Sequence, residues 1–130
     1  MSENFAKLLE VMRRTRGPGG CAWDHEQTIK SMAEHLKSEA DEVLCAIENN
    51  DPQNLKEELG DLLWNIVFVC KIAQDEGLFD IDDVLKGVRE KIIRRHPHVF
   101  GGMKLATSED VVCHYKKIKQ SEKSEGRKQP

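Results

Sequence analysis

At 130 residues and a formal net charge of −3, the chain is long enough to bury one hydrophobic core. It is too acidic to be drawn as a whole to nucleic acid or an anionic membrane, so any polyanion must be met by a local cationic cluster. Its 38% hydrophobic and 33% charged residues exclude a disordered chain, and no apolar run reaches the ~18 residues that span a bilayer.

In chain order, MSENFAKLLEVMRRTR lacks a signal-peptide core and reads as a helix over about 3–15, with Phe5, Leu8, Leu9 and Met12 on one face. RGPGGCAWD is a loop by its glycine and proline content. Asp24 followed by Gln27 resembles a capping box opening a long helix to about Glu48. Asn50-Asp51-Pro52 is a stop and restart, and the helix it opens runs to about Asp75. EGLFD turns the chain into a fourth helix, about 80–95, that ends before Pro97; HPHVFGGMKLAT is loop. A last helix starts near Ser108 and runs to about Glu122. The expectation is an all-α bundle of about five helices over residues 1–123, with a polar tail over 124–130. Its two longest helices are joined tightly enough to lie antiparallel. The four cysteines, Cys21, Cys45, Cys70 and Cys113, are widely spaced with no C-x-x-C, which points to reduced thiols and a cytoplasmic setting.

The chemistry concentrates on the long pair. Helical spacing puts Ile29, Met32, Leu36, Ala40, Val43 and Ile47 in one stripe, with Glu39 and Glu42 on its flank. On the next helix Leu55, Leu59, Leu62, Ile66 and Cys70 form the main stripe, Glu58, Asp61 and Asn65 line up beside it, and Trp64 and Phe68 extend the apolar surface around the other side. Antiparallel packing can therefore bring four carboxylates to one point. The bland alternative is a solvated acidic face paired with lysines. Four carboxylates at close range repel unless a divalent cation joins them, and oxygen-only ligands suit Mg²⁺ or Mn²⁺. No Glu-x-x-His pair of a di-iron bundle is present. Gly60, mid-helix, costs about 1 kcal/mol against alanine, and close approach of another group is a plausible return.

These residues carry a family resemblance. "SEADEV" followed by "EELGD" resembles the E-E-x-x-E … E-x-x-D signature of the MazG nucleoside triphosphate pyrophosphohydrolases. "LLEVMRRTRGPGGCAWDHEQT", "EKIIRRHPHVFG" and "HYKKIKQSEK" are similar to that family's other blocks, so the likeness covers roughly residues 5–123. It implies an all-α dimer or dimer of dimers that uses Mg²⁺ to hydrolyse (d)NTPs between the α and β phosphates, a house-cleaning activity on nucleotide pools. It places the metal ligands on Glu39, Glu42, Glu58 and Asp61, the phosphate-contacting cations on Lys91 and Arg95 with Arg94 beside them, and the nucleotide-contacting pair of the last helix on Tyr115 and Lys119. Ser38 stands where the motif has its first Glu, with Glu57 as the candidate substitute. Tyr115 stands where Trp is common, and Ala22 where Pro is usual.

On the residues themselves, Lys91, Arg94 and Arg95 close the fourth helix, where cations also favour the helix dipole. Trp23 and Tyr115 are open to base stacking or to plain packing. His96 and His98 are split by Pro97 and suit loop or phosphate contacts better than metal. GPGG is followed by Cys21-Ala22, which excludes a P-loop. The apolar run LLWNIVFVC asks for a second buried surface and points to a homodimer. Two rival readings stay open. One is a narrower enzyme on the same scaffold, for dUTP, dCTP or a phosphoribosyl nucleotide. The other is a regulatory or nucleotide-binding helical dimer with reduced catalysis, which Ser38 keeps alive.

Overall fold

The computed structural model describes residues 2–126, all of whose regular structure is helical. The elements are α1 (Glu3–Arg16), α2 (Ala22–Glu26), α3 (Met32–Glu48), α4 (Pro52–Asp75), α5 (Ile81–Arg94), α6 (Pro97–Phe100) and α7 (Ser108–Ser124). Four of the longer helices are those expected; the one expected from Asp24 to about Glu48 is broken into α2 and α3, and α6 is an addition. The described residues fall into two compact units divided between Val84 and Leu85, within α5. Of the expected tail, residues 127–130 lie outside the described residues.

Local chemistry explains where each helix begins and ends. Asp24 does not cap a long helix: it lies inside α2, and the chain leaves the helix at Gln27. The reciprocal pair that precedes α3 is Thr28 and Ser31, each hydroxyl accepting from the other's backbone N–H (2.9 and 3.0 Å). Ser31 Oγ also donates to Gln27 Oε1 (2.8 Å). The Gln27 N–H that a capping Asp24 carboxylate would accept goes instead to the Asp24 carbonyl. Asp80 and Asp83 make the same exchange at the start of α5 (3.0 and 2.9 Å), and Thr107 accepts from Asp110 N–H at the start of α7. His96-Pro97 opens α6, where the sequence reading expected loop; proline at the first helical position needs no N–H partner.

The α3–α4 joint is as tight as the Asn-Asn-Asp-Pro run implies. Asn50 takes the left-handed conformation (φ 51°), its N–H donates to Ile47 C=O, and Asp51 N–H donates to Ala46 C=O. That closes α3 in a Schellman motif, while the Asp51 carboxylate accepts from Asn54 N–H and opens α4. The two helices run back along each other as the principal packing pair of the molecule. Gly77 (φ 75°) ends α4 by the same motif, with Leu78 N–H donating to Ala73 C=O.

The core of the first unit is Met12, Met32, Val67, Phe68 and Ile72, with Phe5, Leu8, Leu9, Ile29, Trp64 and Val69 packed around it. Here the expected stripes need correction. Phe68 is central rather than peripheral, and Asn65 is buried, whereas Ile47, Leu59 and Ile66 are exposed. The buried face of α4 is rotated towards the polar line Glu58–Asp61–Asn65, so the carboxylates stand on the α3–α4 seam and not beside it. Leu59, Leu63 and Ile66 of α4, with Leu44 and Ile47 of α3, are left as exposed apolar side chains.

Candidate metal and nucleotide site

Glu42 and Glu58 each stand about two turns from the α3–α4 bend, and Glu39 and Asp61 about three, so the hairpin brings two pairs of carboxylates level with one another. Glu39, Glu58 and Asp61 each offer an oxygen such that all three lie within 4.8 Å of one another. Glu42 is exposed and outside that trio. It is nonetheless the neighbouring charge that acts most on Glu58, whose carboxyl is pushed up from its ordinary value first by desolvation and then by Glu42, Asp61, Glu39 and Glu57. Five acids thus share one electrostatic neighbourhood. Ser38, exposed on α3, is outside the trio.

The decisive local feature is Glu39 Oε2. It is shut off from solvent and has no hydrogen-bond partner among the described residues. A buried carboxylate oxygen left without a donor, within reach of two further carboxylates, is costly unless a cation joins them. The donor set is all oxygen, which fits a hard divalent cation and offers nothing to a soft one. Gly60 lies between Glu58 and Asp61; a Cβ there would meet no atom within 4 Å, so nothing in the described chain makes the close approach that a glycine permits.

Trp23 meets His35 and Phe68 edge-on (centroids 5.3 and 6.2 Å apart), with nearly half of its surface exposed. Its ring is thus partly a core lid and partly open. Arg16 ties the neighbouring ends together, donating to the Asp24 and Gln27 carbonyls and to Asp75.

In the second unit the cations are gathered by a residue the sequence reading did not single out. Glu122, 2% exposed, accepts at Oε1 from Arg95 Nη2 (2.7 Å) and Nε (3.3 Å), and at Oε2 from Arg94 Nε (2.6 Å). Its carboxyl is lowered to about 2, foremost by the Arg95 and Arg94 hydrogen bonds; the same contact is the main cause that raises Arg95. Arg95, 3% exposed, also donates to Tyr115 Oη (2.9 Å) and lies over that ring (5.1 Å), as does Lys119 (5.3 Å). Lys91, half-buried, stands one turn before Arg95 on α5. The structure therefore brings Arg94, Arg95, Tyr115 and Lys119 into one cluster around Glu122. The signal was available: on α7, Tyr115, Ile118 and Glu122 share a face at i, i+3 and i+7, and a carboxylate on the inward stripe of a helix must have a cationic partner. His96 and His98 lie ring to ring at 5.4 Å in the α6 segment.

Residues 27–100 match the family described as MazG nucleotide pyrophosphohydrolase domain. The chain is 42% identical over 120 residues to a nucleoside triphosphate pyrophosphohydrolase of Escherichia coli strain K12, covering 92% of this chain and 46% of that protein. It is equally 42% identical over 120 residues to the nucleoside triphosphate pyrophosphohydrolase/pyrophosphatase MazG of Thermotoga maritima, covering 90% and 47%. Among solved structures, it superposes on the crystal structure of a mazG-related protein from Thermotoga maritima with a TM-score of 0.75 and 34% identity, covering 88% of this chain and 98% of that one. The chain spans less than half the length of these curated relatives.

Proposed function

Because the chain belongs to the MazG nucleotide pyrophosphohydrolase family, we propose that it is a Mg²⁺-dependent enzyme cleaving (d)NTPs between the α and β phosphates. The products are a nucleoside monophosphate and pyrophosphate, and the role is house-cleaning of nucleotide pools. The observation that carries this reading is the partnerless Glu39 Oε2 clustered with Glu58 and Asp61. A divalent cation held there, Mg²⁺ or in its place Mn²⁺, would supply neutralisation of phosphate charge and a lowered pKa for water.

The chain's own residues do the rest. Glu39, Glu58 and Asp61 would hold the cation, with Glu42, the neighbouring charge that acts most on Glu58, as the fourth carboxylate. Glu57 supplies the further carboxylate that Ser38 lacks and takes the proton from water. The α4 backbone fixes Glu58 and Asp61 one turn apart, so no loop has to order before the cation is held. Lys91, Arg94, Arg95 and Lys119 supply the positive field that meets the triphosphate, an anion the chain as a whole would repel. Tyr115 and Trp23 offer ring faces to the base.

A homodimer formed through the helices completes the proposal. The exposed Leu44, Ile47, Leu59, Leu63 and Ile66 are an apolar load that a second copy would cover.

The test is product identity. Each (d)NTP is incubated with the protein and Mg²⁺, and the products are resolved by anion exchange. Monophosphate with pyrophosphate is the expected pair; diphosphate with inorganic phosphate would overturn the assignment. Asp61→Ala is expected to lower turnover by roughly a thousandfold, the scale of losing a principal charge stabiliser, with helicity unchanged by circular dichroism. Normal turnover in that variant would remove the carboxylate site.

A further inference from the structure

The polar residues on the α3–α4 seam do not stop at the carboxylates. Beyond Glu39 and Asp61, about three turns from the bend, His35 and Asn65 stand about four turns out on the same faces of α3 and α4. Farther out the seam closes into core, where Met32 and Phe68 are buried in one cluster. The two arms stay level here, because the Trp23 ring meets both His35 of α3 (5.3 Å) and Phe68 of α4 (6.2 Å). His35 and Asn65 thus make a rung between the acidic trio and the apolar end of the seam.

Nothing in the fold requires Asn65 to be polar. It is 9% exposed and its amide makes no hydrogen bond among the described residues, yet neither amide atom is shut off from solvent. The small opening left at this residue therefore includes its polar end. A buried amide without a partner is destabilising, and one whose donor and acceptor both stay reachable is set to bond something outside the chain. His35, half-buried, is in the same state: its ring packs against Trp23, and its nitrogens bond nothing in the described chain.

We propose that His35 and Asn65 read the sugar of the nucleotide by bonding its hydroxyls. This rests on the nucleotide reading above and adds a substrate preference to it. Phosphates drawn to the carboxylate end of the seam leave the sugar as the next group of the substrate, and the rung lies one helical turn, about 5.4 Å, farther along. The half-exposed ring of Trp23 follows, on the far side of His35, for the base. An amide and a neutral imidazole each donate and accept, as a hydroxyl does. A site of that kind discriminates against an analogue lacking the hydroxyl, because its own polar groups are then left unpaired.

Steady-state kinetics with a ribonucleoside triphosphate, its 2′-deoxy form and its 2′,3′-dideoxy form, all of one base, test it. Calorimetric titration with their α,β-methylene analogues and Mg²⁺ reads the same preference without turnover. The wild type is expected to lose at least about tenfold in kcat/KM from the ribonucleotide to the dideoxynucleotide, the scale of a lost hydrogen bond. His35→Phe keeps a ring against Trp23 and Asn65→Leu keeps a side chain of similar size. Each is expected to shrink that ratio at least about threefold, and the double variant to bring it close to one. Because Asn65 bonds nothing in the described chain, Asn65→Leu is expected to melt no lower than the wild type. Lower melting temperatures with the ratio unmoved would make the pair purely structural and overturn the proposal. So would a wild type that treats the three sugars alike. If no triphosphate is cleaved, but the analogues show the sugar preference and the variants lose it, the sugar-reading role stands and the hydrolase reading falls. If cleavage proceeds while neither variant moves the ratio, the reverse holds.

Discussion

Replacing Glu39 with Gln should invert the metal dependence of stability. In the metal-free protein, Glu39 carries a shut-off oxygen without a donor and faces Glu58 and Asp61 with the three oxygens inside 4.8 Å. Unit charges at that distance repel by about 0.9 kcal/mol per pair at the permittivity of water, roughly halved by 0.15 M salt. Two neighbours therefore cost Glu39 on the order of 1 kcal/mol. Glutamine removes that repulsion and turns one acceptor into an NH₂ donor that can reach the flanking carboxylates. At about 4 °C per kcal/mol for a domain of this size, Glu39→Gln should melt roughly 4 °C above the wild type in EDTA. With free Mg²⁺ at about a hundred times its dissociation constant, the wild type gains about 2.7 kcal/mol, about 10 °C, while the variant gains little and becomes the less stable of the two. Differential scanning calorimetry in EDTA and in millimolar Mg²⁺ reads both shifts. A variant that melts lower in EDTA, or that gains as much from Mg²⁺ as the wild type, would show that the three carboxylates are an ordinary acidic face.

Acid should act through Glu122. Its carboxyl is lowered from 4.5 to about 2, so the stability it contributes is fully present above pH 4.5 and is lost as pH falls from there towards 2; Glu122→Gln should flatten that limb of a circular-dichroism pH titration, and an unchanged limb would refute the assignment. Gly60→Ala meets open space in the described chain and should stabilise by about 1 kcal/mol in urea melts. If its turnover nonetheless collapses, a nucleotide or partner makes the close approach; if stability falls, the helix is strained there. Ile66→Glu, placed on the exposed α4 stripe, should convert a dimer to a monomer by multi-angle light scattering, and a variant of unchanged mass would move the interface elsewhere.

The sequence determined whatever depends on neighbours along the chain. Helices α1, α4, α5 and α7 lie within a few residues of their expected bounds, because caps such as Asp51 before Pro52 act over three or four residues and can be read directly. The approach of Glu39, Glu58 and Asp61 was legible for a related reason: a tight antiparallel hairpin converts distance from the bend into spatial register, although Glu42, expected with them, stays outside the trio. Whatever depends on rotation about a helix axis was decided by tertiary structure. A stripe of apolar residues does not say which part of a wide greasy face is buried, and α4 turned Phe68 and Asn65 inward while Leu59 and Ile66 stayed exposed. Even a local boundary could be misread: α3 begins after the Thr28–Ser31 exchange and not at the expected Asp24 cap. Glu122 shows the limit most plainly. Its importance comes from guanidinium groups 27 and 28 residues away, and only the folded chain brings opposite charges of that separation close enough to neutralise one another.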